Sequence, residues 1–236
     1  MKKKIGVLVL VIALIISYPS TLLLNSFQTS FAFGLTITVT DAGDAGPNTL
    51  RDAISTANGS ANNVLITFDP GITTITLDSS LPYISIEDGS ITIDGGNHVT
   101  IVKSFGGAGY GFKIGNELPV NNSTGNSIRN LELDGFENGI ILYGDNNRVE
   151  NVIVSGPMVA SACSNLGQHG ISTVRRNTDD VVNNTISNNT VTCYRKGIFL
   201  QNPSGTIVSG NTVPRNTSTV ALTGSQVFND VNPCFV

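Results

Sequence analysis

Three dipeptides able to do acid, base or ion-pairing chemistry each stand immediately before a Gly-Ile pair. They are Glu137-Asn138, Gln168-His169 and Arg195-Lys196, ahead of Gly139-Ile140, Gly170-Ile171 and Gly197-Ile198. If the three pairs occupy equivalent places in a repeating fold, Asn138, His169 and Lys196 form one column, with Glu137, Gln168 and Arg195 beside it. In such a column a histidine can shuttle a proton, and Lys196 or Arg195 can neutralise a uronate or serve as the base of an elimination. Arg175, Arg176, Asp179 and Asp180 follow on the next turn, and paired carboxylates can supply the acid and the base that cleave a glycosidic bond. The candidate catalytic set is therefore His169, Asp179, Asp180, Arg195 and Lys196. Its alternative is that these are solvated turn residues of a chain with few charges.

No cofactor is expected, and metal chemistry has a thinner basis. His98 and His169 are the chain's histidines, and neither they nor Cys163, Cys193 and Cys234 have a metal-ligand spacing. Calcium on Asp41 and Asp44, or on Asp134 or Asp145, is the one alternative, although no Gly-Gly-x-Gly-x-Asp repeat occurs and aspartate is an ordinary turn residue.

The elements that would hold this column in place are legible as a repeat. Ile128, Leu131 and Leu133 return as Val149, Val152 and Val154 at a shift of 21 residues. Ile186-Ser-Asn-Asn-Thr-Val191 returns as Val208-Ser-Gly-Asn-Thr-Val213 at a shift of 22, and Val220-Ala-Leu222 begins 22 residues after Ile198. Helical repeats are longer and would show a 3.6-residue apolar period, which is missing, and no leucine stands at the fixed offsets of a leucine-rich repeat. Short β-branched strands separated by Gly, Asn and Asp bends predict an all-β fold, a single-stranded parallel β-helix. The crossover rule makes it right-handed. Like residues then stack about 4.8 Å apart, and stacked asparagines can both donate and accept. The longer interval before Gly170 predicts an insertion over Gly156 to Leu166.

The 236 residues are 40% hydrophobic but only 13% charged, with 25 glycines and a net charge of -4, which argues against a nucleic-acid partner. Lys2 to Lys4 followed by Ile5 to Ile16, with Ser30-Phe31-Ala32 as a cleavage site, reads as a signal peptide over 1–32. An uncleaved membrane anchor is the alternative, because Leu22 to Leu24 could lengthen the apolar stretch. Both place the rest of the chain outside the membrane, secreted or at the cell surface. There, Cys163 and Cys193 would lie in successive coils and could pair as a disulfide, with separate buried thiols as the alternative.

Residues 35–62 read as an N-terminal strand, Leu35 to Thr40, and a helix, Thr49 to Asn58. Thr49 and Asp52 approximate a capping box, and Leu50, Ala53, Ile54 and Ala57 share one face. That helix would cap the open end of the first coil. The β-helix itself is expected over 63–236. At its far end no capping helix follows Val220-Ala-Leu222, so the last coil would dock on a partner or a second copy, be plugged by Phe228 and Phe235, or continue in a longer chain.

The segments Leu50-Arg-Asp-Ala-Ile-Ser-Thr-Ala-Asn58, Ile66-Thr-Phe68, Leu81-Pro-Tyr-Ile84 and Ile93-Asp-Gly-Gly96 resemble the opening segment of right-handed parallel β-helix repeat proteins of the pectin-lyase-like superfamily. The resemblance implies the fold and an exported setting, in a superfamily that spans lyases, hydrolases, adhesins and proteins without activity. Gly167-Gln-His-Gly170, Asn177-Thr-Asp-Asp180 and Arg195-Lys196 resemble fragments of polygalacturonase motifs. Their order differs from that family, in which the aspartates precede the histidine.

The leading expectation is thus an exported β-helix that binds polysaccharide or another surface component along a neutral Asn- and Thr-rich face, with Tyr110, Tyr143 and Tyr194 as exposed stacking aromatics. A polysaccharide lyase or glycoside hydrolase is the second expectation, and a structural envelope component the third. Asn-x-Ser/Thr sequons at Asn58, Asn121, Asn122, Asn183, Asn188 and Asn216 complete the motifs.

Overall fold

The structure, a computed structural model, describes residues 34–86, 88–104, 109–115, 123–159, 162–163, 167–174, 181–201, 203–214, 216 and 218–223. The leader expected over 1–32, the aspartates Asp179 and Asp180, and the end of the chain past 223 lie outside them. Among the described residues no helix is long and apolar enough to cross a membrane.

The chain winds through three long parallel sheets, with a fourth, short one formed by β15 (Val181–Val182) and β19 (Pro203–Ser204). The first orders seven strands as β1 (Leu35–Val39), β2 (Val64–Phe68), β4 (Ile91–Asp94), β7 (Ser127–Arg129), β10 (Arg148–Glu150), β16 (Thr185–Ser187) and β20 (Ile207–Ser209). The second holds β3 (Thr74–Leu77), β5 (Thr100–Lys103), β8 (Glu132–Asp134), β11 (Ile153–Ser155) and β17 (Thr190–Thr192). The third holds β6 (Tyr110–Ile114), β9 (Asn138–Leu142), β14 (Gly167–Thr173), β18 (Tyr194–Gln201) and β21 (Ser218–Thr223). Successive coils visit the first, second and third sheet in turn, which makes the fold a parallel β-solenoid. Ile84 makes a single parallel bridge to Ile114, beside the third sheet.

The repeat maps onto this path directly. Ile128, Val149, Ile186 and Val208 lie side by side in the first sheet, and Leu133, Val154 and Val191 in the second. All point inward and are 3% exposed or less. No coil could bury these residues alone, so the stack is the core.

Asparagines close the coils in two ways. Side chains at Asn126, Asn147 and Asn184 turn inward at the corner before the first sheet, each Oδ1 accepting the backbone N–H one coil back: Ile91 (2.8 Å), Asn126 (2.9 Å) and Asn147 (2.8 Å). At the corner after the first sheet Asn189 and Asn211 do the same for Val152 and Asn189, both at 2.9 Å. These ladders satisfy backbone donors that leave the strands inside the core. The preceding residues, Asn146 and Asn183 at one corner, Asn130, Asn151 and Asn188 at the other, take the left-handed conformation with φ between 55° and 56°, and Gly205 and Gly210 continue the two columns. Asparagine and glycine tolerate that conformation best.

The helix α1 (Leu50–Asn58) buries Leu50, Ala53, Ile54 and Ala57 in the same core and packs on β1 and β2. Thr49 caps it by accepting the Asp52 N–H, while the Asp52 carboxylate reaches back to the N–H of Asn48 rather than Thr49. Gly59 ends the helix at φ -83, without the left-handed turn.

The expected insertion is present, and the coil that carries it is lengthened at two points. The register from β9 to β14 pairs Asn138 with His169, and that from β14 to β18 pairs His169 with Lys196, so the added length is divided between the two sides of β14. The first addition includes a two-stranded antiparallel hairpin, β12 (Met158–Val159) with β13 (Ala162–Cys163). Cys193 is disulfide-bonded. The side chain of its expected partner, Cys163, is outside the described residues.

Candidate functional site

The third sheet presents the column anticipated from the Gly-Ile pairs. Tyr110, Asn138, His169, Lys196 and Ser218 are paired strand to strand, and two residues on Phe112, Ile140, Ile171 and Ile198 form an inward column, with Val220 next in register to Ile198. Glycine separates the two for a packing reason. A Cβ on Gly139 would collide with Val154 Cγ1 and the Gly170 carbonyl. One on Gly170 would meet Val191 Cγ1 and, at 2.6 Å, the carbonyl of Gly197. Here the second and third sheets approach so closely that only a glycine backbone fits. The residue before each glycine is left half-buried.

Two clusters of cation and aromatic ring stand on this outward face. In the first, Lys113 Nζ lies 4.0 Å from the centre of the Tyr110 ring and 4.7 Å from that of Tyr83, and donates to the Tyr83 hydroxyl at 3.4 Å. In the second, the imidazole of His169 stacks on Phe199 with ring centres 4.6 Å apart, and Lys196 Nζ lies 4.0 Å from the same ring centre. A cation over the negative face of an aromatic ring is attracted to its quadrupole. Strands β6 and β18 are three strand spacings apart, so the clusters are about 14 Å from one another along the solenoid axis. Between them runs the amide of Asn138.

Burial, and secondarily the charge of Lys196, hold the His169 pKa below the ordinary imidazole value. Near neutral pH its ring is therefore an uncharged donor and acceptor. Glu137, beside the column, makes an ion pair of 3.7 Å with Lys103, and Arg195 is exposed. Ser172, in register with Ile141 and Phe199 on the neighbouring strands, is wholly buried, and its hydroxyl has no hydrogen-bond partner among the described residues.

The structure thus brings His169, Lys196 and Asn138 together, with Arg195 adjacent in sequence. Asp179 and Asp180 are outside the described residues. Tyr83, Lys113 and Phe199 join the face without having been singled out from the sequence. The expectation of exposed rings at Tyr143 and Tyr194 is corrected: Tyr143 is 7% and Tyr194 0% exposed. Tyr194 turns into the corner between the second and third sheets, where its hydroxyl donates to the Phe136 carbonyl at 3.1 Å. Burial, and secondarily Asp134, push its phenol pKa well up.

Potential metal donors are dispersed. His98 lies at the corner between β4 and β5, on a cleft of about 210 Å³ lined also by Leu131, Glu132, Asn151 and Ile153, on a different face from His169. Asp41 accepts the Gly43 N–H at 2.7 Å, and Asp145 the Val182 N–H at 2.8 Å. Asp44 is paired with Arg51 at 2.7 Å. Asp134 is pushed up in pKa by burial, against the hydrogen bond from the Gly135 N–H. Among the described residues no three His, Cys, Asp or Glu side chains come together as a metal site.

Comparison with known proteins returns one family. Its profile, described as periplasmic copper-binding protein (NosD), matches residues 83–232. No curated protein matches the chain.

Proposed function

Because the chain belongs to the NosD family, we propose that it is an exported β-solenoid that binds polysaccharide along the outward face of the third sheet. The observation that carries this reading is the pair of cation and aromatic clusters, Lys113 with Tyr83 and Tyr110, and His169 and Lys196 with Phe199, on one face. A sugar ring offers an apolar face for stacking and hydroxyls at its rim, and these clusters offer an apolar body with N–H donors beside it. Their separation along the axis suits an extended chain better than a single small molecule.

Copper, which the family description names, is not well served by the described residues. Copper sites draw on imidazole, thiolate and thioether ligands. His98 and His169 sit on different faces, and the sulfur of Cys193 is committed to a disulfide. The imidazole of His169 stands against Phe199 and beside Lys196, a cation that would repel a metal ion. No step of the proposed binding involves a metal.

Retention of the exported protein on immobilised neutral and acidic polysaccharides, with reducing-end release followed in the same samples, tests the reading. The expected result is retention on at least one polysaccharide, weakened at least tenfold by Phe199→Ala and by Tyr110→Ala, without release. Release abolished by His169→Ala would replace binding with catalysis. Absence of retention on every polysaccharide, from a folded protein, would overturn the reading.

A further inference from the structure

We infer that Asn183 and Asn188 are acceptor sites for N-linked glycans, on a face separate from the polysaccharide-binding sheet. The tripeptides Asn183-Asn184-Thr185 and Asn188-Asn189-Thr190 are both sequons, and they flank strand β16 of the first sheet. In each, the structure gives the three residues different tasks. The first asparagine is exposed in the left-handed conformation, at φ 56° in both cases. The second is buried in a ladder, at 0% exposure for Asn184 and 1% for Asn189. The threonine opens a strand beside an inward residue, Ile186 or Val191, so that it lies on the outer side.

Only the first asparagine has an amide free to react. Its backbone is engaged, Asn183 N–H with the Ser204 carbonyl at 2.8 Å and Asn188 N–H with the Ser209 carbonyl at 3.0 Å. The side-chain oxygens lie over Gly205 and Gly210 of the next coil, close to where a Cβ would stand. Their Nδ2 groups make no hydrogen bond among the described residues. Other members of the same corner column differ in both respects. Asn130 Nδ2 donates to Asp94 Oδ1 at 2.9 Å and Asn151 Nδ2 to Asn130 Oδ1 at 3.4 Å, and neither begins a sequon. Two further described sequons are closed to modification. Asn58 donates from Nδ2 to the Tyr83 carbonyl and accepts the Ser85 N–H, and Asn216 donates from Nδ2 to the carbonyls of Val191 and Pro214. Fold geometry alone does not require the exposed asparagines, since glycine holds the equivalent places at Gly205 and Gly210.

The co-reactant is a lipid-pyrophosphate-linked oligosaccharide presented by an oligosaccharyltransferase in the export pathway. The Asn Nδ2 forms a bond to the sugar C1 as the bond from C1 to the pyrophosphate oxygen breaks. The lipid pyrophosphate leaves with the electron pair, the amide proton passes to a base of the transferase, and nothing is oxidised or reduced. The glycan adds bulk and polar surface at the two corners bordering β16.

Site mapping of the full chain, exported from a host that performs N-glycosylation, tests this by peptide mass spectrometry with and without amide-cleaving glycosidase. The expected result is glycan at Asn183 and Asn188 and none at Asn58 or Asn216. Thr185→Val and Thr190→Val, which leave each asparagine in place, would each abolish occupancy of their own site. Bare Asn183 and Asn188 in the wild-type protein would overturn the inference, as would equal occupancy at Asn58 and Asn216, because acceptors would then be chosen without regard to the fold.

Discussion

His169 stacks on Phe199, ring centres 4.6 Å apart and planes 21° from parallel, although the two residues sit on neighbouring strands in columns three residues apart. Burial first, and the Lys196 charge second, hold the imidazole below its ordinary pKa. In a proton NMR titration His169 should accordingly titrate below the free-histidine value of about 6.5. Lys196→Gln should move its midpoint up by removing the nearby positive charge. Since the folded state binds fewer protons than the unfolded one in this window, His169 should lower stability as pH falls from that value toward its folded pKa. A midpoint unmoved by Lys196→Gln would show that burial alone sets the shift.

Neighbouring asparagines with the same sequence context should differ sharply in their contribution to stability. Asn189 is buried, its Oδ1 accepting the Val152 N–H and its Nδ2 donating to the Val149 carbonyl, both at 2.9 Å. Asn189→Ala leaves both groups without a partner in the core and should cost about 2–4 kcal/mol. Asn188→Gly should fall within about 0.5 kcal/mol of wild type, because Gly210 already holds the equivalent left-handed position one coil on. Chemical denaturation of the two variants checks the contrast. Equal losses would mean that the ladder does not discriminate inward from outward asparagine.

How far the sequence carried depends on which physical regularity each residue obeys. Ile128, Val149, Ile186 and Val208 were legible because a stacked core forces apolar residues to recur at one period. The column of Asn138, His169 and Lys196 was legible because the adjoining glycines mark a corner where no side chain fits. Lys113 was not: Tyr110 pairs with Asn138 across a longer interval than the repeat, so Tyr110-Gly-Phe-Lys-Ile114 does not align by period although it occupies the same place. Tyr194 lies inside because strict alternation fails in β18, where Gly197 and Ile198 are both buried, and the strand starts inside the corner. The two cation and aromatic clusters depend on side chains crossing between strands, which spacing along one chain does not encode.

Gly170 should be among the positions least tolerant of substitution. A Cβ there meets Val191 Cγ1 and, at 2.6 Å, the carbonyl of Gly197, the second of which is strand backbone and cannot move aside. Gly170→Ala should cost about 1–3 kcal/mol or more by overpacking. Val191→Ala removes the side-chain half of the clash, so the double variant should be less destabilised than the two single losses combined. Thermal melts of the three variants decide this. Simple additivity would show that the sheets move apart to admit the methyl.

The junction between the helix and the first coil should be sensitive to acid through one ion pair. Arg51 donates to Asp44 Oδ1 at 2.7 Å, to the Asp44 carbonyl at 2.8 Å and to the Ser79 hydroxyl at 2.8 Å, while the Ser79 hydroxyl donates to Asp44 Oδ2 at 2.8 Å. Burial by itself would raise the Asp44 pKa, but the hydrogen bonds from Arg51 and Ser79 and the Arg51 charge outweigh it, so the carboxyl stays below its ordinary value. A depressed carboxyl pKa stabilises the fold above the unfolded value of about 3.9 and ceases to do so as pH falls through the folded value. Arg51→Met should therefore cost about 1 kcal/mol near neutral pH, the figure for hydrogen bonds to charged groups reduced for solvent screening. The gap between wild type and variant should narrow as Asp44 becomes protonated, measured as denaturation midpoints from neutral pH down into the acid range. A gap that stays constant across that range would show that Arg51 acts through packing of its stem on the loop and not through the carboxylate.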